Sequence, residues 1–356
     1  MPAITQTDPT PPKGPQMDVR DRLVDVELTN RCNALCSFCP RDETPDQGFM
    51  SMETFVQVIE RVKELESIPR ISFTGQGEST LHPDLVAFVR YAKSQGVIVQ
   101  MTSNGSLLDD ARARALLDAG LDGICFSISD MGEDYELVYN LDFERTHSNV
   151  LHFLELAKQV EDRQIEVMLS IVRHDLNRDK FDEMSQYWQG KGITTILPFD
   201  QNNRGGACDN GHYFTESDRF TVEARQIMAE ARTSTLCSAP FYFIFIGWSG
   251  QYYICCSDYR KISPLGSVFD YSIDAMDAIK LKAFSDRLPA CAQCDFDPLN
   301  AVREKLFEIE AGEKTRADLD KLMMQHRKFY HQRLPRDIDI LDWEPSASSS
   351  LIAVSR

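Results

Sequence analysis

Between Leu23 and about Phe199 the chain alternates short apolar segments with amphipathic stretches, and few folds are compatible with this alternation. The amphipathic stretches, such as METFVQVIERVKELE, carry apolar residues three and four positions apart, which is typical of helices. Alternating strands and helices of this length predict a parallel sheet with helices on its outer side. The six segments of strand length are LVDVELT, RISFTG, VIVQMTSN, GICFSIS, IEVMLSIV and ITTILPF.

Six strands are fewer than the eight that close a β/α barrel, so we predict an α/β fold with an open, partial (β/α)6 barrel. Its active site is expected at the carboxyl ends of the strands. The alternation stops near Asn202, where a small second domain is expected to begin. There FYFIFIGWSGQYYICC predicts a hairpin that turns at Ser249 and Gly250, and a helix should run through Ile273 to Leu288. The expected divisions are a flexible leader (1–20), the barrel (21–205), a linker helix with a small auxiliary domain (206–298), and a helical region with a tail (299–356).

The charge balance and the hydropathy of the chain narrow its partners. It carries 55 acidic against 38 basic side chains, a formal charge of -17, which disfavours nucleic acid as a partner. The segment MPAITQTDPTPPKGPQMD contains no apolar core of a signal peptide, and no stretch approaches the roughly 18 apolar residues of a membrane span. We therefore expect a cytoplasmic enzyme that acts on a small molecule without a membrane partner.

The ten cysteines are many for a chain without an export signal, and metal ligation explains most of them better than disulfides do. The segment VELTNRCNALCSFCP places Cys32, Cys36 and Cys39 in a C-x3-C-x2-C loop directly after the first strand. Three thiolates at this spacing can hold a 4Fe-4S cluster and leave its fourth iron open. A zinc site is the alternative, but it would want a fourth Cys or His nearby, and the loop contains none.

This loop, with an aromatic residue at Phe38 before the third cysteine, resembles the hallmark of the radical S-adenosylmethionine (AdoMet) superfamily. The resemblance implies that the amino and carboxylate groups of AdoMet chelate the open iron. It also implies that an electron from the cluster cleaves AdoMet to a 5'-deoxyadenosyl radical, which abstracts hydrogen. A flavodoxin- or ferredoxin-type protein would supply that electron.

Later strand ends carry further elements that resemble this family. FTGQGEST is similar to its Gly-Gly-Glu element near the methionine amino group, MTSNG to a position near the ribose, and MLSIVRH places a polar residue where the family reaches AdoMet. Gly-rich and Asn-Gly turns also follow many ordinary strands. The residues that the resemblance implies for AdoMet binding are Phe38, Gly75, Gly77, Glu78, Ser103, Asn104 and Ser170, with Arg173 close behind.

The second cysteine set resembles the opening of the auxiliary-cluster domain called SPASM, through the spacing of Cys237, Gly250 and Cys255. A C-x2-C pair follows, and no cysteine lies beyond it, so only one auxiliary cluster can be fully held, as in the shorter twitch variant. Cys256 is an alternative to Cys255, and a four-cysteine zinc ribbon is an alternative to the cluster. The implied ligands of the auxiliary 4Fe-4S cluster are Cys237, Cys255, Cys291 and Cys294.

Two cysteines stand outside both sets. Cys125 lies in an apolar strand and is expected to be a buried packing thiol, whereas Cys208 lies in a Gly-rich loop and is either an ordinary loop cysteine or a hydrogen-atom donor.

The favoured function is that of a radical AdoMet oxidoreductase. It would oxidise an alcohol carbon of a small sugar or cyclitol-like substrate in natural-product biosynthesis, with the auxiliary cluster as electron acceptor. The alternatives are a redox-neutral epimerase that uses Cys208 or Cys256 as hydrogen donor, a peptide-modifying maturase, and a zinc-bound scaffold without catalysis. The sequence identifies no catalytic base.

Overall fold

The computed structural model describes most of the chain between residues 23 and 333. The predicted leader (1–20) and the tail beyond residue 333 lie outside the described residues. The described ranges are 23–65, 68–174, 176–208, 221–234, 237, 239–285 and 288–333.

Nine strands form one sheet in the order β6-β5-β4-β3-β2-β1-β7-β8-β9. The first six pair in parallel with their sequence neighbours, which confirms the predicted partial (β/α)6 barrel. The strands are β1 (Leu23–Val26), β2 (Arg70–Phe73), β3 (Ile98–Ser103), β4 (Gly123–Ser127), β5 (Glu166–Arg173), β6 (Thr195–Asp200), β7 (Phe243–Ile246), β8 (Gln251–Tyr253) and β9 (Pro264–Ser267).

The helices begin and end at residues suited to those positions. Ser51 and Asp109 cap two helix N-termini by accepting hydrogen bonds from Thr54 N and Arg112 N, and Gly120 ends one helix in the left-handed conformation. The helices are α1 (Met52–Lys63), α2 (Leu85–Ser94), α3 (Asp110–Ala119), α4 (Gly132–Tyr139), α5 (Phe143–Lys158), α6 (Phe181–Gly190), α7 (Val222–Ser234), α8 (Ala239–Tyr242), α9 (Ile273–Ser285), α10 (Pro289–Ala292), α11 (Pro298–Glu310) and α12 (Arg316–Arg333).

The two faces of the parallel strands differ in polarity. Residues such as Val24, Phe73 and Met101 point to the outer face and join the main hydrophobic core with the helices. Because register partners lie on the same face of a sheet, the inner face of the barrel carries a row of mostly polar side chains. This row contains Asp25, Ser72, Gln100, Thr102, Ser127 and Ser170, together with the less polar Cys125 and Met168.

The small C-terminal domain continues the sheet of the barrel. The predicted hairpin is present, since β7 and β8 pair antiparallel around the turn that contains Ser249 and Gly250. Strand β7 also pairs in parallel with β1 along its whole length, from Leu23↔Phe243 to Val26↔Ile246. The predicted helix is α9, which ends at Ser285.

The last two helices pack against α7 in a second hydrophobic cluster, apart from the main core. The predicted linker helix and the predicted C-terminal helical region therefore share one core. Its buried residues are Ala224, Ile227, Ala231, Val302, Leu306, Leu319 and Met323. Within the described part of the chain, we find no helix with the length and apolar character needed to cross a bilayer.

Candidate cofactor site

The loop that carries the first cysteine set runs from the end of β1 to the start of α1, and its own side chains hold it together. Thr29 Oγ1 donates to the carbonyl of Gly48 (2.6 Å), and Asn30 Oδ1 accepts from Gly48 N (3.0 Å). Arg41 Nη1 donates to the carbonyl of Ala34 (2.9 Å). The loop is therefore fixed at both ends and at its centre before any ligand binds.

Cys32, Cys36 and Cys39 lie half-buried in this loop. Burial raises the pKa of Cys32 to about 11, and it also raises the pKa values of Cys36 and Cys39. Nearby negative charge adds to this effect, since Cys39 raises the pKa of Cys32 and of Cys36. Three clustered thiols of this kind need a bound cation or metal cluster to become thiolates, so the donor set fits an iron-sulfur cluster.

The GQGE turn after β2 lies against the cysteine loop. A Cβ atom at Gly77 would lie 2.3 Å from the carbonyl oxygen of Thr29, so only glycine allows this approach. Gly75 adopts a φ of 155°, and its Cβ atom would lie 2.7 Å from the side chain of Glu27. The backbone N-H of Glu78 donates to the carbonyl of Arg31 (2.9 Å), which joins the turn to the loop.

Glu78 is buried and connects the ends of β2 and β3. Its Oε1 accepts hydrogen bonds from Thr80 N, Thr80 Oγ1 and Ser103 Oγ, and its Oε2 accepts one from Asn104 N at 2.8 Å. The structure thus brings together the predicted residues Glu78, Ser103 and Asn104. Among the described residues, Oε2 has the one donor Asn104 N and keeps capacity for one more, whereas the Ser103 hydroxyl is used within the protein.

Asn104 also contacts the cysteine loop through its side chain. Its Nδ2 donates to Asn33 Oδ1 (3.0 Å), and Asn33 Nδ2 donates to Ser106 Oγ (2.9 Å). The loop, the GQGE turn and the end of β3 therefore form one hydrogen-bonded unit.

The two remaining predicted AdoMet residues lie on other elements. Phe38 is buried, and its ring centre lies 5.8 Å from the ring centre of Tyr139 and 5.6 Å from that of His174. Ser170 lies within β5 on the inner face, with its hydroxyl 3.5 Å from the carbonyl of Phe126. Neither residue joins the hydrogen-bonded unit around Glu78.

The four cysteines assigned to the auxiliary cluster line one small cavity. Burial raises the pKa values of Cys255 and Cys294 to about 11 and raises those of Cys237 and Cys291 as well. Gly205 also lines this cavity, and its Cβ atom would lie 2.7 Å from the carbonyl oxygen of Ser257. Four thiols that line one cavity are the donor set that a 4Fe-4S cluster requires.

Side chains from two other segments hold the C-x2-C turn of the auxiliary site. Asn203, which follows β6, donates from Nδ2 to the carbonyl of Gln293 (2.6 Å) and accepts from Asp295 N (3.1 Å). Asn300 Nδ2 donates to the carbonyl of Cys294 (2.6 Å). The end of the barrel therefore positions the turn that carries Cys294.

Cys255 lines this cavity and Cys256 is not among its lining residues, which favours Cys255 as the ligand. Cys256 itself is exposed. Among the described residues, no group of three His, Cys, Asp or Glu side chains is arranged to hold a single metal ion.

The two cysteines outside both sets are also placed. Cys125 is buried, as predicted. The Cys208 thiol lies beside the first cysteine loop and donates to the carbonyl of Phe38 (3.7 Å).

Four consecutive residues that begin three positions after Cys255 contact the barrel, and we call residues 258–261 the docking segment. Lys261 is half-buried, and its ammonium group lies over the rings of Phe245 (4.4 Å) and Tyr253 (4.5 Å). The contacting pairs are Asp258 O with Gln76 Nε2 (3.0 Å), Tyr259 Oη with Cys39 Sγ (3.7 Å), Arg260 Nε with Glu43 Oε2 (3.0 Å) and Lys261 Nζ with Glu27 Oε1 (3.2 Å).

The docking segment and its partner Gln76 were not predicted from the sequence. Tyr259 is buried, and burial raises its pKa well above the ordinary tyrosine value. Arg204, which also escaped notice, has its guanidinium carbon 5.8 Å from the Tyr259 ring centre. The sequence offered one indication of this segment, namely its position shortly after Cys255.

The chain matches the family model described as the Radical SAM superfamily over residues 26–187 and the model described as SPASM, an iron-sulfur cluster-binding domain, over residues 237–295. It is similar to the tungsten-containing aldehyde ferredoxin oxidoreductase cofactor-modifying protein of Pyrococcus furiosus, with 24% identity over 175 residues. That match covers 48% of this chain and 49% of the relative, so the chain spans about half the length of that protein.

Two solved structures are similar in fold. One is anSMEcpe with bound AdoMet, with 13% identity and a TM-score of 0.56, covering 87% of this chain and 98% of that one. The other is SuiB of Streptococcus suis bound to the precursor peptide SuiA, with 12% identity and a TM-score of 0.59, covering 80% and 73%. At these identities the likeness concerns the fold.

Proposed function

Because this chain belongs to the radical AdoMet superfamily and carries an iron-sulfur-binding SPASM domain, we propose that it oxidises an alcohol carbon of a small substrate. Its cofactors are AdoMet, the 4Fe-4S cluster that binds AdoMet and an auxiliary 4Fe-4S cluster. When bound, these groups supply a 5'-deoxyadenosyl radical for hydrogen abstraction and an acceptor for one electron. The proposed substrate is a sugar or a cyclitol of natural-product biosynthesis.

The residues proposed to hold these groups form two sets. The hydrogen-bonded unit around Glu78 supports the AdoMet assignment, because it joins the cysteine loop to two strand ends. The free acceptor capacity of Glu78 Oε2 suits an amino group. The proposed ligands are Cys32, Cys36 and Cys39 for the first cluster, and Cys237, Cys255, Cys291 and Cys294 for the second; Phe38, Gly75, Gly77, Glu78, Ser103, Asn104 and Ser170 would contact AdoMet.

The observation that carries the proposal is the cavity lined by four cysteines. An alcohol carbon that loses a hydrogen atom, and then its hydroxyl proton, must lose one further electron to become a carbonyl. Four protein ligands leave no iron open for substrate, so a group held in this cavity is suited to accept that electron. The net reaction is a two-electron oxidation.

The inner face of the barrel supports a hydroxyl-rich substrate. Thr102 and Ser127 are only partly buried there and present hydroxyl groups on adjacent strands. These groups can donate to and accept from several hydroxyls at once. Asp25 lies on the same face, and burial raises its pKa to about 7 against the opposing charge of Lys280.

Redox-neutral epimerisation is the second candidate, and the position of Cys256 favours it. Cys256 is exposed, whereas the Cys208 thiol donates to the Phe38 carbonyl. A thiol that a substrate can reach could return a hydrogen atom to the opposite face of a substrate radical. The Cys256→Ser variant would then stop turnover, while Cys208→Ser would not.

The cluster assignments are tested by iron and sulfide content after anaerobic reconstitution. The wild type should hold about eight irons and the Cys32, Cys36, Cys39 triple alanine variant about four, as two 4Fe-4S clusters require. The Cys125→Ala variant is the matched control and should match the wild type. About four irons in the wild type and none in the triple variant would contradict the auxiliary assignment.

The reaction is tested by anaerobic incubation with AdoMet, a strong reductant and a panel of sugars and cyclitols deuterated at each carbinol carbon. Oxidation predicts a product with a new carbonyl group and transfer of deuterium to 5'-deoxyadenosine. A product isomeric with the substrate that gains solvent deuterium would point to epimerisation. Turnover of peptides alone would contradict the proposed substrate class.

A further inference from the structure

The docking segment brings a tyrosine of the auxiliary domain to a cysteine of the first loop. The hydroxyl of Tyr259 lies 3.7 Å from Cys39 Sγ, although 220 residues separate them in the chain. Tyr259 is 7% exposed, so water has little access to this contact. The pair is the direct polar contact from the docking segment to a proposed cluster ligand.

The neighbours of Tyr259 fix its position independently of its hydroxyl. On one side the carbonyl of Asp258 accepts from Gln76 Nε2 (3.0 Å), and the Asp258 carboxylate accepts from Ser263 N (2.8 Å). On the other side Arg260 forms an ion pair with Glu43 (3.0 Å). Removal of the hydroxyl alone therefore leaves the backbone of the docking segment in place.

The chemistry of a cluster ligand sets the direction of this hydrogen bond. A cysteine that ligates iron is a thiolate and carries no proton, so it can only accept. A tyrosine hydroxyl is a donor at neutral pH. With Cys39 bound to iron, the proton between the two atoms must belong to Tyr259.

We propose that Tyr259 is a positioning residue for the AdoMet-binding cluster, whose hydroxyl donates to the Cys39 sulfur and raises the reduction potential of that cluster. The inference rests on the proposed function, because it takes Cys39 as a cluster ligand. Reduction adds negative charge to the cluster and its sulfurs, and a hydrogen bond to a sulfur stabilises the reduced state more than the oxidised state.

This arrangement connects the two cofactor sites through a short path. Tyr259 lies four residues after Cys255, which lines the auxiliary cavity. Correct formation of the auxiliary site therefore places the donor at Cys39. The auxiliary domain thus tunes how readily the first cluster is reduced.

The test is a redox titration followed by electron paramagnetic resonance on the reconstituted full chain. The signal that changes on addition of AdoMet identifies the first cluster. In Tyr259→Phe we expect its midpoint to become more negative, with the ratio of reduced to oxidised cluster at a fixed potential falling roughly three- to tenfold for one lost hydrogen bond. Tyr252→Phe, which loses a bond to the Tyr271 carbonyl, is the matched control and should titrate like the wild type.

A wild-type midpoint in Tyr259→Phe with full iron content would overturn the inference. If that variant loses iron, 3-fluorotyrosine placed at residue 259 gives the second test. It keeps the ring, is a stronger donor and should shift the midpoint to more positive values; an unchanged or more negative midpoint would also overturn the inference. Failure of the proposed ligands is distinguishable, because the triple alanine variant would then keep about eight irons.

Discussion

The two cysteine sites are built in opposite ways. The first has three cysteines within eight residues of one loop, closed by contacts such as Thr29 to Gly48. The second has four cysteines spread between residues 237 and 294 around a cavity, and Asn203 of the barrel holds part of it. The first site is therefore local in the chain, and the second depends on tertiary assembly.

The largest effect should come from the local site. Cys36→Ala removes one of three ligands, so we expect AdoMet cleavage to fall by more than about a hundredfold, beyond the usual cost of changes outside the ligand shell. The auxiliary iron should remain, because its ligands belong to other segments. Release of 5'-deoxyadenosine and iron content measure both effects, and loss of all iron would show that the two sites are not independent.

The matching change in the second site should lower product formation more than AdoMet cleavage. Cys291→Ala removes one ligand of the auxiliary cavity, and we expect product formation to fall at least about tenfold to a hundredfold. Some AdoMet cleavage should persist, since the first loop is closed by its own contacts. Chromatography of 5'-deoxyadenosine and product in the same reaction gives the ratio; normal product formation would refute the auxiliary assignment.

A smaller effect is expected where the GQGE turn meets the first loop. Gly77→Ala places a methyl group 2.3 Å from the Thr29 carbonyl oxygen, so the turn must move away. Overpacking of about 1–3 kcal/mol predicts AdoMet binding weaker by roughly ten- to hundredfold. Equilibrium dialysis measures it, with Gly190→Ala as the control, because nothing lies within 4 Å of its Cβ position. Equal affinities in the two variants would rule out the close approach.

The smallest effects are expected from two asparagines, one at each cysteine site, that hold the surrounding backbone in place. Asn203→Ala and Asn30→Ala each remove buried hydrogen bonds and should destabilise the chain by about 1–3 kcal/mol. The first change should speed iron release from the auxiliary cluster, and the second should speed release from the AdoMet cluster. The rate of iron transfer to a chelator measures this release, and the spectra of the two clusters show which one loses iron. If both variants released iron faster from the same cluster, the two asparagines would not belong to separate sites.

The same difference explains how far the sequence alone could lead. The six parallel strands, the hairpin at Gly250 and the C-x3-C-x2-C loop follow from periodicity, turn chemistry and spacing, which are local signals. The pairing of Glu78 with Ser103 and Asn104 was within reach, because carboxyl ends of neighbouring parallel strands meet.

Non-local contacts left no such pattern. Nothing in the residues around Tyr259 indicates that its hydroxyl lies at Cys39, and Asn203 looks like an ordinary loop residue before a Gly-Gly pair. The domain boundary expected between residues 298 and 299 separates α7 from the last two helices. In the structure, however, Ile227 of α7 shares a hydrophobic core with Leu306 and Leu319. Such pairings depend on the whole fold, so single-sequence reasoning could not locate them.

The parallel pairing of β7 with β1 has a consequence for the edge of β1. Without β7, the edge of β1 would present unsatisfied backbone N-H and C=O groups, which recruit strands from other molecules. The pairs from Leu23↔Phe243 to Val26↔Ile246 cover that edge with a strand from the same chain. The auxiliary domain therefore also protects this edge from pairing with strands of other molecules. A barrel fragment that ends before Phe243 would lose this protection.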